Sequence, residues 1–297
     1  MPVNPDRVDV PHLLPGRIVD LPGRGEVFVR HHAHPDATRP TVLLLHGWTA
    51  SADTQFFPAY PALAEHYSVV ALDHRGHGRG LRPPMAFSLE DCADDAAALV
   101  RALGLASVVT VGYSMGGPVS MLLWQRHGEL VDAMVFEATA MEWRARLRER
   151  ARWLVGRILS PFTRVATTPR TLRILLERFV PRGHDLHRHL PWLVGEIRRN
   201  DPWMVAEAGR ALSRFDGRGI GKGIDVPTVV VVTTADRLVR PRKQRALADA
   251  TRADILELEA DHLAPLQQPR EFAEVTLRAV DRAVAIRGTR PASPARH

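Results

Sequence analysis

Apolar runs and amphipathic segments alternate along most of this chain. Near its start, two short segments with alternating polarity, 16–21 and 26–30, predict a pair of antiparallel strands. Later runs are mainly apolar and bounded by polar residues, which is typical of buried parallel strands. These runs span residues 41–45, 67–72, 108–111, 131–136, 226–233 and 255–258.

The segments between these runs favour helices. Ser88 is a good N-cap for one of them, and Gly104 is placed to end it. Strands that alternate with helices at this spacing predict βαβ units and a mainly parallel sheet. The predicted helices cover residues 56–66, 90–103, 118–126, 241–250 and 271–286.

The alternation stops between residues 141 and 216, where the pattern is helical and contains no strand candidate. This segment is rich in arginine, has no lysine and carries four tryptophans. One interpretation is a solvated helical surface with the tryptophans packed on the core. The other is a surface that meets anionic lipid or an acidic acyl substrate, because arginine binds phosphate and carboxylate and tryptophan suits an interface.

Length and composition narrow the class of protein. A chain of 297 residues that is 45% hydrophobic can form one large α/β domain, or a domain with an insertion. We expect no signal peptide and no membrane span, and the single Cys92 fits a reducing cytoplasm. The formal charge of +7 comes without any recognisable nucleic-acid-binding motif, so we expect no nucleic-acid partner.

The run at 108–111 leads into the pattern Gly112-x-Ser114-x-Gly116, and a helical segment follows. This context predicts a nucleophile elbow, in which the glycines permit a tight turn that exposes the serine hydroxyl. The N-terminus of the following helix then directs backbone N–H groups at negative charge near the serine. Ser114 is therefore the candidate nucleophile.

A serine nucleophile needs a base and a group that orients the base. In such a sheet these partners should follow later strands in the order acid, then histidine. Asp236 follows the 226–233 run and His262 follows the 255–258 run, so we assign them as acid and base. Glu137, which ends the strand after the elbow helix, is the alternative acid, and Asp261 is interpreted as structural.

The developing oxyanion needs N–H donors that are fixed before the reaction. We expect these from the backbone of Met115 and of Trp48, with His46 and Gly47 shaping the loop that carries Trp48.

The segment 73–78 contains Asp73, Arg75 and two histidines. A charged turn held by an Asp–Arg pair is favoured over a metal site, because no metal-ligand spacing is present. The sequence therefore predicts neither a metal nor a cofactor.

Five motifs stand in a recognisable order and spacing: His46-Gly47-Trp48, Asp73-x-Arg75-Gly76-x-Gly78, Gly112-Tyr113-Ser114-Met115-Gly116-Gly117, Asp236-x-x-Val239 and Asp261-His262. Together they resemble the α/β-hydrolase superfamily. The resemblance implies a mostly parallel eight-stranded sheet flanked by helices, with a helical cap inserted after the sixth strand. It implies a core of 1–140 and 217–286, a cap of 141–216, and Ser114, Asp236 and His262 as the triad. The composition of residues 287–297 predicts a disordered tail.

The nearest-looking branch holds esterases, lactonases, carbon–carbon bond hydrolases and cofactor-free haloperoxidases. Epoxide hydrolases and haloalkane dehalogenases have aspartate at the position of Ser114 and are disfavoured. We expect a cytoplasmic serine hydrolase, peripheral to the membrane if the cap meets lipid, that acts on a small ester or acyl substrate. Alternatives are a lactonase or carbon–carbon bond hydrolase with the same triad, or a slow-turnover ligand receptor of this fold.

Overall fold

One sheet of eight strands organises the protein in a computed structural model that describes residues 9–143, 168–179 and 185–289. Its strand order is β1-β2-β4-β3-β5-β6-β7-β8. β2 is antiparallel to both β1 and β4, and the other neighbouring strands are parallel. The predicted antiparallel pair and mainly parallel sheet are confirmed. The strands are β1 Gly16–Leu21, β2 Gly25–His32, β3 Thr41–Leu45, β4 Ser68–Leu72, β5 Val108–Tyr113, β6 Val131–Glu137, β7 Thr228–Thr233 and β8 Asp254–Leu258.

Helices cover both faces of the sheet. Every residue of β3, β5 and β7 is buried, which explains why these strands are apolar on both faces. In β3, for example, Leu43 and Leu45 join one hydrophobic core, and Val42 and Leu44 join the other. The helices are α1 Ala52–Phe56, α2 Tyr60–His66, α3 Leu89–Ala102, α4 Gly116–Arg126, α5 Pro169–Phe179, α6 Leu190–Arg198, α7 Pro202–Arg214, α8 Arg218–Gly223, α9 Pro241–Thr251, α10 Ala264–Gln267 and α11 Pro269–Thr289.

Most predicted element boundaries shift by one or two residues, but two differences are larger. The helix predicted at 56–66 is interrupted, because Phe56 ends α1 and only residues 60–66 form α2. Pro58 lies between the two helices and has no N–H with which to continue α1. α11 extends to Thr289, three residues beyond its predicted end, so residues 287–289 are helical and not part of a tail. The rest of the predicted tail lies outside the described residues.

The predicted ends of α3 are confirmed. The Ser88 side chain accepts a hydrogen bond from the Asp91 N–H, as an N-cap does, and Gly104 has a φ of +67° just beyond the last turn. Within α3, Cys92 is buried, and burial raises the pKa of its thiol. This fits the absence of any sequence signal for a reactive cysteine.

The two ends of the segment predicted as a cap meet at the edge of the core. Glu142 forms an isolated β-bridge with Asp216, and the Gly217 N–H donates to the Met141 carbonyl oxygen at 2.8 Å. In the described part of this segment the structure contains α5, α6 and α7 and a short helical turn, Asp185–His189. Residues 144–167 and 180–184 lie outside the described residues, and they include many of the arginines of the predicted cap.

In the described parts of the chain, the structure contains no helix that is both long and apolar enough to span a lipid bilayer.

Candidate active site

Ser114 sits in a strained turn between β5 and α4. Its φ is +52°, in the left-handed region that non-glycine residues rarely adopt. A β-carbon on Gly112 would lie 2.6 Å from the Gly116 carbonyl oxygen, and one on Gly116 would lie 1.9 Å from the Leu45 carbonyl oxygen. Both glycines are therefore required by close backbone approach, as the elbow motif predicts.

In the structure, Ser114, His262 and Asp236 form a continuous chain of hydrogen bonds. His262 Nδ1 lies 2.8 Å from Asp236 Oδ2, and His262 Nε2 lies 3.0 Å from Ser114 Oγ. A carboxylate can only accept, so Nδ1 carries the ring proton and Nε2 is free to accept from the serine hydroxyl. The arrangement can deprotonate Ser114 and hold the resulting imidazolium next to a carboxylate.

Asp236 is buried, and its own hydrogen bonds fix its orientation. Oδ1 accepts from the backbone N–H groups of Leu238 and Val239, both at 2.8 Å. Oδ2 accepts from the Thr233 hydroxyl at 3.0 Å, and Gln244 Nε2 lies 3.3 Å away. Oδ2 therefore stays directed at His262. Gln244 was not predicted as part of the site, because it lies within α9, where no local motif distinguishes a buried glutamine.

Other contacts hold the histidine and the elbow in place. The Tyr113 hydroxyl donates to the carbonyl oxygen of His262 at 2.8 Å, and burial raises the pKa of Tyr113 well above its usual value, so it stays a donor. The Thr139 hydroxyl donates to the Ser114 carbonyl oxygen at 2.6 Å. Asp261 Oδ1 accepts from the backbone N–H groups of His262 and Arg237, which matches its predicted structural role.

The alternative acid, Glu137, lies at the end of β6 and is buried. It accepts a hydrogen bond from the Thr276 hydroxyl at 2.8 Å, whereas the Nδ1 atom of His262 bonds to Asp236. Its Oε2 atom has no hydrogen-bond partner among the described residues. Burial raises the pKa of Glu137 to about 8, so it is mainly protonated at neutral pH and carries little negative charge.

The loop after β3 lies against the nucleophile. A β-carbon added to Gly47 would lie 3.2 Å from the β-carbon of Ser114, so the peptide linking Gly47 to Trp48 borders the site. The other expected donor, the Met115 N–H, belongs to the residue directly after Ser114 and caps α4. These positions suit the two predicted oxyanion donors.

His46 fixes the Gly47–Trp48 peptide. Its Nε2 atom accepts from the His74 backbone N–H at 2.9 Å, so Nδ1 must be the protonated nitrogen that donates to the Gly47 carbonyl oxygen at 2.8 Å. Burial is the main reason why the pKa of His46 lies well below its usual value, and the nearby His74 and His77 lower it further. The carbonyl and N–H of a trans peptide point in opposite directions, so this bond also sets the direction of the Trp48 N–H.

The prediction of an Asp–Arg pair within segment 73–78 is wrong. Arg75 instead binds Asp95 on α3, with Nη2 donating to Oδ1 at 2.8 Å. Asp73 accepts from the backbone N–H groups of Ala52 and Arg79, both at 2.7 Å, and so ties α1 to this segment. Asp73 and Arg75 lie two positions apart in the sequence, which suggests an ion pair, but in the fold each binds a partner further along the chain. Within the described ranges there is no group of three His, Cys, Asp or Glu side chains that could hold a metal ion.

Comparison with known proteins identifies the fold. Residues 40–269 match the model of a family described as having the alpha/beta hydrolase fold. An esterase structure from Exiguobacterium antarcticum superimposes with a TM-score of 0.76 over 90% of this chain and 100% of that one, at 19% identity, which shows a shared fold.

Two curated relatives are similar to this chain over different shares of its length. RutD of Caulobacter segnis, named provisionally as a carbamate hydrolase, is 38% identical over 106 residues, which cover 35% of this chain and 39% of that protein. The chain thus spans well under half the length of this relative. A pyrrolizixenacetamide deacetylase of Xenorhabdus hominickii is 26% identical over 80% of this chain and 89% of its own length.

Proposed function

Because the chain belongs to the α/β-hydrolase fold family, we propose that it is a serine hydrolase that cleaves a carboxylic ester through an acyl-enzyme on Ser114. The main support for this proposal is the continuous chain of hydrogen bonds from Ser114 Oγ through His262 to Asp236. A serine hydroxyl is a weak nucleophile on its own, and this arrangement supplies both its base and the group that orients the base.

The proposed reaction has two steps. In acylation, Ser114 Oγ attacks the ester carbonyl carbon while its proton moves to His262 Nε2, and the imidazolium then protonates the departing alkoxide. In deacylation, His262 deprotonates water, which attacks the acyl carbon and releases the acid and the serine hydroxyl. Asp236 stabilises the imidazolium in both steps, and the N–H groups of Trp48 and Met115 bind the oxyanion.

The same triad can open a lactone or cleave a carbon–carbon bond, and the names of the relatives add carbamates and amides. These reactions share the attack by Ser114 and differ in the leaving group. A different class is a ligand receptor that keeps the triad but turns over slowly. Turnover rates on a panel of substrates separate these alternatives, since a receptor retains binding with negligible kcat.

The test uses p-nitrophenyl esters of graded acyl length, with lactone and anilide substrates in parallel. We expect ester turnover by the wild type and its loss in Ser114→Ala, together with loss of fluorophosphonate labelling. Absence of wild-type turnover on every ester would contradict the esterase proposal. Labelling that persists in Ser114→Ala would contradict the assignment of the nucleophile.

We also propose that the cap contacts anionic lipid. In support, Ile174 on α5 is 54% exposed and Trp203 on α7 is 51% exposed. The side chain of Arg173, next to Ile174, is 63% exposed and is paired with Glu177 one turn further along α5. Exposed apolar side chains next to arginine suit a lipid headgroup region. Cosedimentation with phosphatidylglycerol vesicles should exceed that with phosphatidylcholine vesicles and weaken at high salt. Equal binding to both, or salt-insensitive binding, would argue against this contact.

A further inference from the structure

The loop that carries the Trp48 N–H contains a strained turn. The Ala50 N–H donates to the Gly47 carbonyl oxygen at 3.3 Å, which closes a turn with Trp48 and Thr49 at its centre. Thr49 has a φ of +67°, which a β-branched residue adopts only under constraint. Glycine or asparagine is the usual residue at such a position. Contacts from outside the turn must therefore hold Thr49 in place.

A residue of the cap supplies one of these contacts. Asn200, between α6 and α7, donates from Nδ2 to the Thr49 carbonyl oxygen at 2.7 Å. Its Oδ1 atom accepts from the Gly78 backbone N–H, also at 2.7 Å. An N–H can bond only to the amide oxygen, so the Gly78 contact settles the orientation of the amide and directs its NH2 group at Thr49.

The surrounding segment of the cap is itself fixed to the core. The Asp201 N–H donates to the Gly76 carbonyl oxygen at 2.7 Å, and the Asp201 side chain caps α7. The Trp48 side chain donates from Nε1 to the Val205 carbonyl oxygen of α7 at 2.7 Å. Both central residues of the strained turn are thus hydrogen-bonded to the cap.

Building on the proposed function, we propose that Asn200 is a positioning residue for the oxyanion hole. By holding the Thr49 carbonyl, Asn200 fixes the turn that contains Trp48, so that the Trp48 N–H stays aimed at the oxyanion. His46 fixes this turn from the core side, through the Gly47 carbonyl, and Asn200 fixes it from the cap side. Docking of the cap is thereby coupled to the chemical step. The coupling is distinct from any contact that the cap makes with substrate.

Asn200→Asp is the sharpest variant. The substitution preserves the shape of the side chain and the oxygen that accepts from the Gly78 N–H. It replaces the NH2 group that donates to Thr49 by an oxygen, which then faces the Thr49 carbonyl oxygen. We expect kcat to fall by about 10- to 100-fold and KM to change by less than about threefold, because the lost hydrogen bond positions the Trp48 N–H, which binds the oxyanion. Affinity for a trifluoromethyl ketone, which forms an oxyanion on the serine, should fall in parallel with kcat.

A second variant approaches the same turn from the core. Trp48→Phe retains an aromatic ring but removes the Nε1 donor to Val205, and it should also lower kcat more than it raises KM. Because both variants release one turn, their combined effect should be smaller than the product of the single effects. Trp48→Phe also provides the test if Asn200→Asp does not fold.

Arg82→Ala is the matched control. Arg82 Nη2 donates to the carbonyl oxygens of Arg199 at 2.6 Å and of Gly78 at 2.7 Å. This variant therefore loosens the chain on both sides of Asn200 without removing a bond to the turn. We expect its kcat to stay within about threefold of wild type. This value shows how much kcat falls when the cap is loosened without a change at the turn. An equal loss of kcat in Arg82→Ala and Asn200→Asp would overturn the proposal, since cap attachment in general would then be responsible.

The proposal also fails if Asn200→Asp and Trp48→Phe both keep wild-type kcat while Ser114→Ala is inactive. That result differs from failure of the proposed function, in which the wild type itself turns over no ester. The rate of fluorophosphonate labelling of Ser114 gives a readout that does not depend on the ester chosen, and it should fall in both variants but not in Arg82→Ala.

Discussion

Replacing Asp236 by asparagine tests the acid of the triad, and the structure dictates how the new amide must sit. Two backbone N–H groups, from Leu238 and Val239, point at Oδ1, so the amide oxygen has to occupy that position. The NH2 group then takes the place of Oδ2, where it faces His262 Nδ1 at 2.8 Å.

A donor at this position reverses the tautomer of His262. Nδ1 must accept from the amide, so the ring proton moves to Nε2, the atom that has to accept the proton of Ser114. The imidazolium also loses its neighbouring negative charge. We expect kcat to fall by about 10³- to 10⁴-fold, which corresponds to roughly 4 to 5.5 kcal/mol of transition-state stabilisation.

The assay compares kcat for an ester substrate between about pH 6 and pH 9, with Glu137→Gln as the matched control. Glutamine can keep the hydrogen bond from Thr276, and Glu137 carries little charge at neutral pH, so this control should stay within about threefold of wild type. A thousandfold loss in Glu137→Gln together with near-normal activity in Asp236→Asn would refute the assignment and make Glu137 the acid.

Three further predictions concern stability. Gly116→Ala places a carbon 1.9 Å from the last carbonyl oxygen of β3, so the free energy of unfolding should fall by about 3 kcal/mol or more and Ser114 labelling should be lost; unchanged labelling would contradict the close approach. Arg75→Met removes the bidentate partner of the buried Asp95, which keeps its hydrogen bond from Arg24, so the free energy of unfolding in denaturant should fall by about 2 kcal/mol. The exposed Arg101→Met should lower it by less than about 1 kcal/mol, and equal losses would be inconsistent with this prediction. Burial raises the pKa of Glu137 from 4.5 to about 8, so its contribution to stability is fully present below pH 4.5 and is lost as pH rises to about 8. Relative to the wild type, the unfolding free energy of Glu137→Gln should therefore rise by about 5 kcal/mol between pH 4.5 and pH 8. Parallel plots of unfolding free energy against pH for the two proteins would contradict the prediction.

The candidate site was predictable where it depends on strand ends. The carboxyl ends of parallel strands meet at one edge of a sheet, so the positions of Asp236 and His262 after their apolar runs were enough to place them near Ser114. The helix broken at Pro58 was missed because apolar periodicity continues across the break, although the proline itself was a signal. Arg75 was assigned the wrong partner because its ion pair depends on how α3 packs, which no local pattern reveals.

The two expected oxyanion donors differ in how they are held. Met115 is fixed by the elbow and by α4, all within a few residues of Ser114, so a local motif identifies it. Trp48 lies in a strained turn whose geometry depends on His46 from the core and on Asn200 from the cap, 152 positions further along the chain. A substrate that shifts the cap would leave the Met115 N–H in place and change the direction of the Trp48 N–H. Control of the chemical step by the cap would therefore act through one donor, and it is the donor whose support could not be predicted from the sequence.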